Sequence, residues 1–394
     1  MDSYILITEK SEKTVREGHP WVFEDEVTFV SDGIEDGTLV TVKNQKGRFL
    51  GTAFYNSHSK IRARLISDNA NDKFDDNFFY RRLKWAVDYR KTVMGDDFSC
   101  CRIIFGEADR FPGFTVDRFE NVLVTEVLSL GIEKIKDMLY RQLLDIFASM
   151  GEKIDVIYER NDAPIREKEG MEQYKGYYFG DGDGIVYITE NGIKYKVDYI
   201  NGQKTGFFLD QKYNRLAISK IAKGRNVLDC FTHTGAFALN AKMGGASSVT
   251  AVDVSETALE TARKNAELNG LSVDFIKEDV FDLLTNMKGS KYDFIILDPP
   301  AFTKSSQTVR NAYFGYKEIN RLAMKLLPRG GYLATCSCSH FMPSKMFEKM
   351  LSEASSEAAV TLRQIEMRQQ SPDHPILMNV PETDYLKFYI FQVV

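Results

Sequence analysis

Two apolar runs end on residues that can do chemistry. Phe294-Ile295-Ile296-Leu297 leads into Asp298-Pro299-Pro300, and Gly331-Tyr332-Leu333-Ala334 leads into Thr335-Cys336-Ser337-Cys338-Ser339. Short apolar runs bounded by turn residues read as buried strands. If both lie in one parallel sheet, a carboxylate and a thiol meet at the sheet edge where ligands bind in open α/β folds. A carboxylate can hold a base and a thiolate can attack it, which points to covalent chemistry on a pyrimidine ring. Asp298 is the base-holding candidate; its plainer role is to cap the turn before Pro299. Cys336 and Cys338 stand at i and i+2, so spacing alone leaves both open as nucleophile. Cys336 lies nearer the apolar run and reads as a buried strand residue, whereas Cys338 lies beyond the expected strand end.

A second set of residues suits a cofactor. Val227-Leu228-Asp229-Cys230-Phe231-Thr232-His233-Thr234-Gly235-Ala236-Phe237 reads as a strand, a tight loop and a helix start, which offers backbone N–H groups to a ligand. One glycine is too few for the G-x-G-x-x-G loop that lets a pyrophosphate approach closely. S-adenosylmethionine carries no phosphate, and its cationic amino and sulfonium groups suit Asp229 as counter-charge. Asp253 closes the next strand-like run, where an acid accepts ribose hydroxyls. Glu278-Asp279-Val280 follows a third run, where an acid receives the adenine amino group. Three acids after three consecutive strands, with Asp298 after a fourth, favour S-adenosyl-L-methionine over NAD.

These residues need a frame. From about residue 186 a hairpin joined through Asn191-Gly192 is followed by alternating strands and helices, the pattern of a doubly wound parallel sheet, with Tyr385–Val394 as a last strand. Before it, residues 1–70 read as short strands and turns of a small β barrel, and residues 71–185 as a compact α+β unit. Phe78, Phe79, Leu83, Ala86 and Val87 recur at helical spacing, and Trp85 and Tyr89 are expected to extend that core face. Lys60, Arg62 and Arg64 alternate with apolar residues, which on charge alone is a solvated barrel face.

The chain of 394 residues is too long for one ordinary core, so two or three domains are expected, within an α/β class. Hydrophobic residues at 43% and charged residues at 27% suit a globular protein, and no run is long enough to cross a bilayer. Met1-Asp2-Ser3-Tyr4 lacks the basic start and apolar stretch of a secretory leader, so a cytoplasmic location is expected. The five cysteines form no C-x-x-C pair, which argues against structural zinc and against a disulfide framework. A net charge of −5 disfavours indiscriminate coating of nucleic acid but not a local basic face. Oligomeric state is left open, a homo-oligomer included.

Residues 186–394 resemble a class I S-adenosylmethionine-dependent methyltransferase. The whole chain resembles the bacterial RlmI-type large-subunit ribosomal RNA cytosine-C5 methyltransferases. The matching segments include Gly18-His19-Pro20-Trp21-Val22-Phe23, Phe111–Arg118, Lys204–Gln211, residues 229–237, Asp298-Pro299-Pro300, Gly315–Asn320, Ser337-Cys338-Ser339 and Asp373-His374-Pro375. The resemblance implies an N-terminal RNA-binding PUA barrel, a small central α+β domain and a Rossmann-like catalytic domain. It makes Lys60, Arg62 and Arg64 RNA contacts, and adds Lys204, Thr205, Phe207, Phe208 and Asp210 to the cofactor pocket. With Asp229, Phe231, Thr232, Gly235, Ala236, Phe237, Asp253, Ser255, Asp279, Val280 and Asp298 these form the expected cofactor-binding set. It also selects Cys338 as nucleophile.

Carbon 5 of cytosine is a poor nucleophile, and a thiolate adding to carbon 6 turns the ring into an enamine that can take a methyl group there. Ala301 follows Pro300, where many amino-group methyltransferases carry an aromatic ring to stack the base; this favours carbon methylation, with Phe302 a partial substitute. His340 and His374 are candidate proton acceptors, although a lone histidine is usually structural. Two other readings stay open: base-amino methylation of RNA with no covalent step, and an RNA-binding assembly factor with a vestigial methyltransferase domain.

Overall fold

Strands and helices alternating after residue 226 build one seven-stranded sheet. The structure is a computed structural model that describes residues 3–289, 291–303 and 306–394. Met1 and Asp2, with which the leader reading begins, lie outside the described residues. We label the strands of this sheet β1 (Asn226–Cys230), β2 (Ser248–Asp253), β3 (Asp274–Lys277), β4 (Phe294–Leu297), β5 (Tyr332–Ser337), β6 (Leu362–Arg368) and β7 (Lys387–Val393). Their order is 3-2-1-4-5-7-6; β1 to β5 pair in parallel, while β7 runs antiparallel to both β5 and β6. Strand order reverses outward from β1 and β4, which brings the ends of these two strands to a topological switch point.

Alternation along each strand explains the two layers. Ile295 and Leu297 point into one core with Tyr316, Ile319 and Phe347, while Phe294 and Ile296 point into the other with Ile218, Ala238 and Phe388. A strand buried on both faces reads as a continuous apolar run, which is why Phe294–Leu297 shows no polar alternation. The helix Glu256–Leu268 starts where the Ser255 hydroxyl accepts the Ala258 N–H at 3.3 Å, and the chain turns away at Gly270, whose φ is +61°.

Cα packing divides the chain into two compact units. One comprises the residues through Ile188, Val197–Leu209 and Pro372–Thr383; the other holds Thr189–Lys196, Asp210–Ser371 and Asp384–Val394. The hairpin Ile185–Glu190 and Ile193–Asp198 turns through Asn191 and Gly192 with φ of +54° and +79°, the left-handed pair of a type I′ turn.

The first unit contains a six-stranded sheet formed within residues 4–67 and a five-stranded sheet formed within residues 100–179. The six-stranded sheet folds around Ile5, Ile7, Val22, Val40, Val42, Ala53 and Leu65. The helix Asp76–Met94 buries Phe78, Phe79, Leu83, Ala86, Val87 and Arg90. Trp85 was expected on that face and is instead 65% exposed. It stands two residues from both Leu83 and Val87, about 200° around the helix from each, so the buried stripe cannot include it. Tyr89, expected there too, has an exposed ring whose hydroxyl donates to the Pro372 carbonyl at 2.9 Å.

Candidate active site

The end of β4 delivers Asp298, and the neighbouring β5 delivers Cys336. The Cys336 S–H donates to Asp298 Oδ1 at 2.9 Å. Gln211 Nε2 donates to the same oxygen at 3.2 Å. The relay extends through Asn214, whose Nδ2 donates to Gln211 Oε1 at 2.7 Å, to Arg368, whose Nε donates to Asn214 Oδ1 at 3.1 Å. Cys336 is fully buried; burial first, and then the Asp298 charge, push its thiol well above the ordinary range. Both effects disfavour a thiolate at Cys336, whose S–H faces Asp298.

Cys338 lies one residue past the end of β5 and is half-buried. Both flanking serines are tied down: Ser337 Oγ donates to Tyr316 Oη at 3.1 Å, and Ser339 Oγ donates to the Thr303 carbonyl at 3.0 Å. Lys387, at the start of β7 and 1% exposed, donates to the carbonyls of Ser339 at 2.6 Å and Tyr385 at 2.9 Å. The backbone on each side of the thiol is thus fixed while the side chain keeps access to solvent. Phe302 packs on Tyr316, with ring centroids 4.6 Å apart, so it belongs to the core edge and is not an open stacking platform.

The loop after β1 is wound through left-handed conformations. Phe231, His233 and Gly235 have φ of +63°, +50° and +83°, two of them without glycine's freedom. Such strain persists only where surrounding contacts hold it, and it clusters at ligand sites. Thr232 N–H donates to the Val252 carbonyl at 3.0 Å, and His233 N–H donates to Asp253 Oδ2 at 2.9 Å. A Cβ on Gly235 would lie 3.0 Å from that of Ala262. Asp229, fully buried, accepts from Thr232 Oγ1 at 2.5 Å and from Ala238 N–H at 2.9 Å through one oxygen, Oδ2. Its other oxygen has no hydrogen-bond partner among the described residues. Burial raises its carboxyl to about 7, with the charges of Asp298 and Asp253 adding to the effect. A buried acceptor left open beside strained backbone fits a cationic amino group, as S-adenosylmethionine carries.

The remaining expected cofactor residues fall into five settings. Asp253 and Ser255 stand together at the end of β2, with Ser255 N–H donating to Asp253 Oδ1 at 2.9 Å. Asp279 caps the helix Val280–Asn286, accepting the N–H groups of Phe281 at 2.8 Å and Asp282 at 3.2 Å. Ala236, Phe237 and Val280 are buried; Phe237 stacks on Phe388, and Val280 sits in the opposite core. Asp210 Oδ2 accepts from the Tyr385 hydroxyl at 2.6 Å. Lys204, Thr205, Phe207 and Phe208 fold with the first unit. There Thr205 Oγ1 donates to Asp117 Oδ2 at 2.5 Å, and Lys204 Nζ lies 4.6 Å from the Phe208 ring centre.

The three basic residues expected at RNA differ in exposure. Lys60 is exposed. Arg62 pairs with Glu24 at 2.7 Å. Arg64 is buried between Glu169 at 2.8 Å and Glu107 at 3.5 Å, so two acids already answer its charge. His374 is buried in the first unit beside Asp373, 2.9 Å between Nδ1 and Oδ1, and His340 is exposed. Sequence reasoning passed over Gln211, Asn214, Arg368 and Lys387. Gln211 was visible as the end of the Lys204–Gln211 segment; the other three gave no local signal.

Strand order 3-2-1-4-5-7-6 with acids at the strand ends defines a class I methyltransferase domain. Residues 174–391 match the profile of the S-adenosylmethionine-dependent methyltransferases, and residues 5–68 match that of the PUA-like domain. Ribosomal RNA large subunit methyltransferase I of Pseudoalteromonas translucida is 40% identical over 400 residues, covering 100% of both chains. The protein of that name from Erwinia tasmaniensis is 39% identical over 397 residues, covering 99% of both. A solved structure of a proposed S-adenosylmethionine-dependent methyltransferase from Streptococcus mutans shares the fold, with 23% identity, TM-score 0.84 and 100% of both chains covered. The chain belongs to the S-adenosylmethionine-dependent methyltransferase family, in the group that carries the ribosomal RNA large subunit methyltransferase I name. Its cofactor is S-adenosylmethionine.

Proposed function

We propose that this protein forms 5-methylcytosine in large-subunit ribosomal RNA through a transient bond between Cys338 and carbon 6 of the base. The observation that carries the reading is the division of labour between the two thiols: Cys336 is held protonated on Asp298, and Cys338 is half-exposed on a pinned loop. The substrate class is supported by the name shared by the full-length relatives and by the PUA-like segment. That substrate implies a cytoplasmic protein. The sequence of Lys60 within that segment, exposed beside the buried Arg64, makes Lys60 the first of the three to test at phosphate.

Asp298 accepts a hydrogen bond from the exocyclic amine and orients the base, with Gln211 and Cys336 fixing its carboxylate. The Cys338 thiolate adds to carbon 6, the displaced electron pair reaches ring nitrogen 3, and that nitrogen takes a proton from solvent and then donates it in a hydrogen bond to Asp298. S-adenosylmethionine, when bound, would supply the methyl group that carbon 5 takes, and Asp229, with one buried oxygen unanswered among the described residues, would hold its cationic amino group. The carbon 5 proton and the proton on ring nitrogen 3 then pass to solvent, which restores the 5,6 double bond and expels the Cys338 thiolate. Membrane chemistry plays no part in this reading, and no described helix is long and apolar enough to cross a bilayer.

RNA containing 5-fluorocytosine lacks the proton that must leave, so it traps the thiol adduct. The unaltered protein is expected to give an adduct stable to denaturation, and Cys338→Ala to give none while still binding cofactor in calorimetry. Full methyl transfer by Cys338→Ala would remove the mechanism; transfer to an amino nitrogen with no adduct in either protein would favour base-amino methylation.

A further inference from the structure

Buried lysines are rare unless an acid answers their charge. Lys387 is 1% exposed, and its two hydrogen bonds run to backbone carbonyls, those of Ser339 at 2.6 Å and Tyr385 at 2.9 Å. No carboxylate lies within ion-pair distance of it among the described residues, although Asp384 acts on it from further off. Taking an ammonium out of water without a carboxylate partner is costly; burial pulls it toward the neutral amine, and a neighbour that turns anionic pulls it back. The register gives that neighbour. Lys387 pairs directly with Ser337 across β5 and β7, and its Nζ reaches over to the residue after Cys338.

We infer that Lys387 is a positioning residue for methyl transfer: it fixes the Cys338 loop through Ser339 and supplies the positive charge that stabilises the Cys338 thiolate. The inference rests on the reading of Cys338 as nucleophile. Among the described residues, Cys338 acts on Cys336 of β5, Tyr316 of the helix Val309–Leu326 and Lys387 of β7, and exposed His340 follows two residues on. Asp298 bears on Cys336 and Asp384 on Lys387, and both acids disfavour a second anion nearby. Lys387 is the buried cation of this set. Burial lowers its ammonium to about 8, and the charges of both thiols act in the opposite direction, so a Cys338 thiolate and a charged Lys387 favour each other. The thiol proton leaves to solvent, Lys387 remains an ammonium, and the thiolate expelled from carbon 6 returns to the same partner.

The test is chemical and does not depend on turnover. Alkylation of Cys338 by iodoacetamide is followed against pH in the full chain, reading the Cys338 peptide by mass so that Cys336 does not contribute. An ordinary thiol titrates at about 8.5. The unaltered protein is expected to show a midpoint below that value; a midpoint at or above it overturns the inference. Lys387→Met is expected to raise the midpoint by about one unit, a roughly tenfold slower alkylation near pH 7, and Lys387→Arg to keep it low. An unmoved midpoint in folded Lys387→Met overturns the inference, and if that variant does not fold the profile of the unaltered protein decides. Full methyl transfer by Cys338→Ala, by contrast, would defeat the nucleophile reading while leaving the measured lysine–thiol coupling in place.

Discussion

Replacing Cys336 by alanine separates the two thiols most directly. The substitution removes one S–H donor, 2.9 Å from Asp298 Oδ1, and leaves the second donor, Gln211 Nε2, at 3.2 Å. A hydrogen bond to a charged group contributes about 1.5–3 kcal/mol. A thiol is a weak donor, which sets the loss near the lower end, about 1.5 kcal/mol. If that bond serves to hold Asp298 against the reacting base, the expected cost is a roughly tenfold lower kcat. The 5-fluorocytosine adduct should still form, because Cys338 is untouched. The assay is single-turnover transfer of a labelled methyl group together with adduct yield on a denaturing gel. Loss of the adduct in Cys336→Ala, with retention in Cys338→Ala, would exchange the roles of the two residues and refute the argument from burial and hydrogen bonding.

Asp229 should make cofactor binding depend on pH. Its carboxyl, raised to about 7 by burial, must ionise to answer a cationic amino group, so affinity should rise as pH goes from 6 to 8 and Asp229→Asn should flatten the curve in calorimetry. For the unliganded protein the sign is opposite: the folded state holds this proton more tightly than the unfolded state does, so the contribution to stability is full below about pH 4 and is lost as pH rises through 7. Glu190→Ala would remove the carboxylate that holds the buried Arg215 at 2.6 and 2.7 Å. A loss of about 3–5 kcal/mol in denaturant unfolding is expected, and a loss under about 1 kcal/mol would show that Arg215 finds another partner.

The catalytic sheet was legible because its signals are local. Apolar runs closed by Asp229, Asp253 and Asp298 sit at the ends of β1, β2 and β4, and the spacing placed the helix Glu256–Leu268 at its observed limits. β6 escaped because Leu362–Arg368 alternates with charged residues and carries no run. Cys336 was legible as a buried strand residue, but its bond to Asp298 was not, since it depends on the register between β4 and β5. Two misreadings have one cause. Trp85 was assigned to a core by its type and Arg64 to a surface by its charge, whereas helix phase exposes the first and Glu107 with Glu169 buries the second. Residue type gives the tendency; the partners that satisfy it lie far away in the chain.

The short return of Pro372–Thr383 to the first unit bears on how this chain is made. Asp373 accepts the Arg102 N–H at 2.8 Å, and its carbonyl accepts from Arg90 at 2.9 Å. Glu382 lies 3.2 Å from the ring of His19. During synthesis these partners leave the ribosome only after some 370 residues have preceded them, by which time β1 to β6 are already available to pair. The N-terminal half therefore waits, with Arg102 N–H and Arg90 unanswered by their final partners, for almost the whole chain to emerge. A break introduced anywhere between β6 and β7 would strand both units at once, and a fragment cut at residue 186 would carry Asp373 and His374 without the groups that bury them.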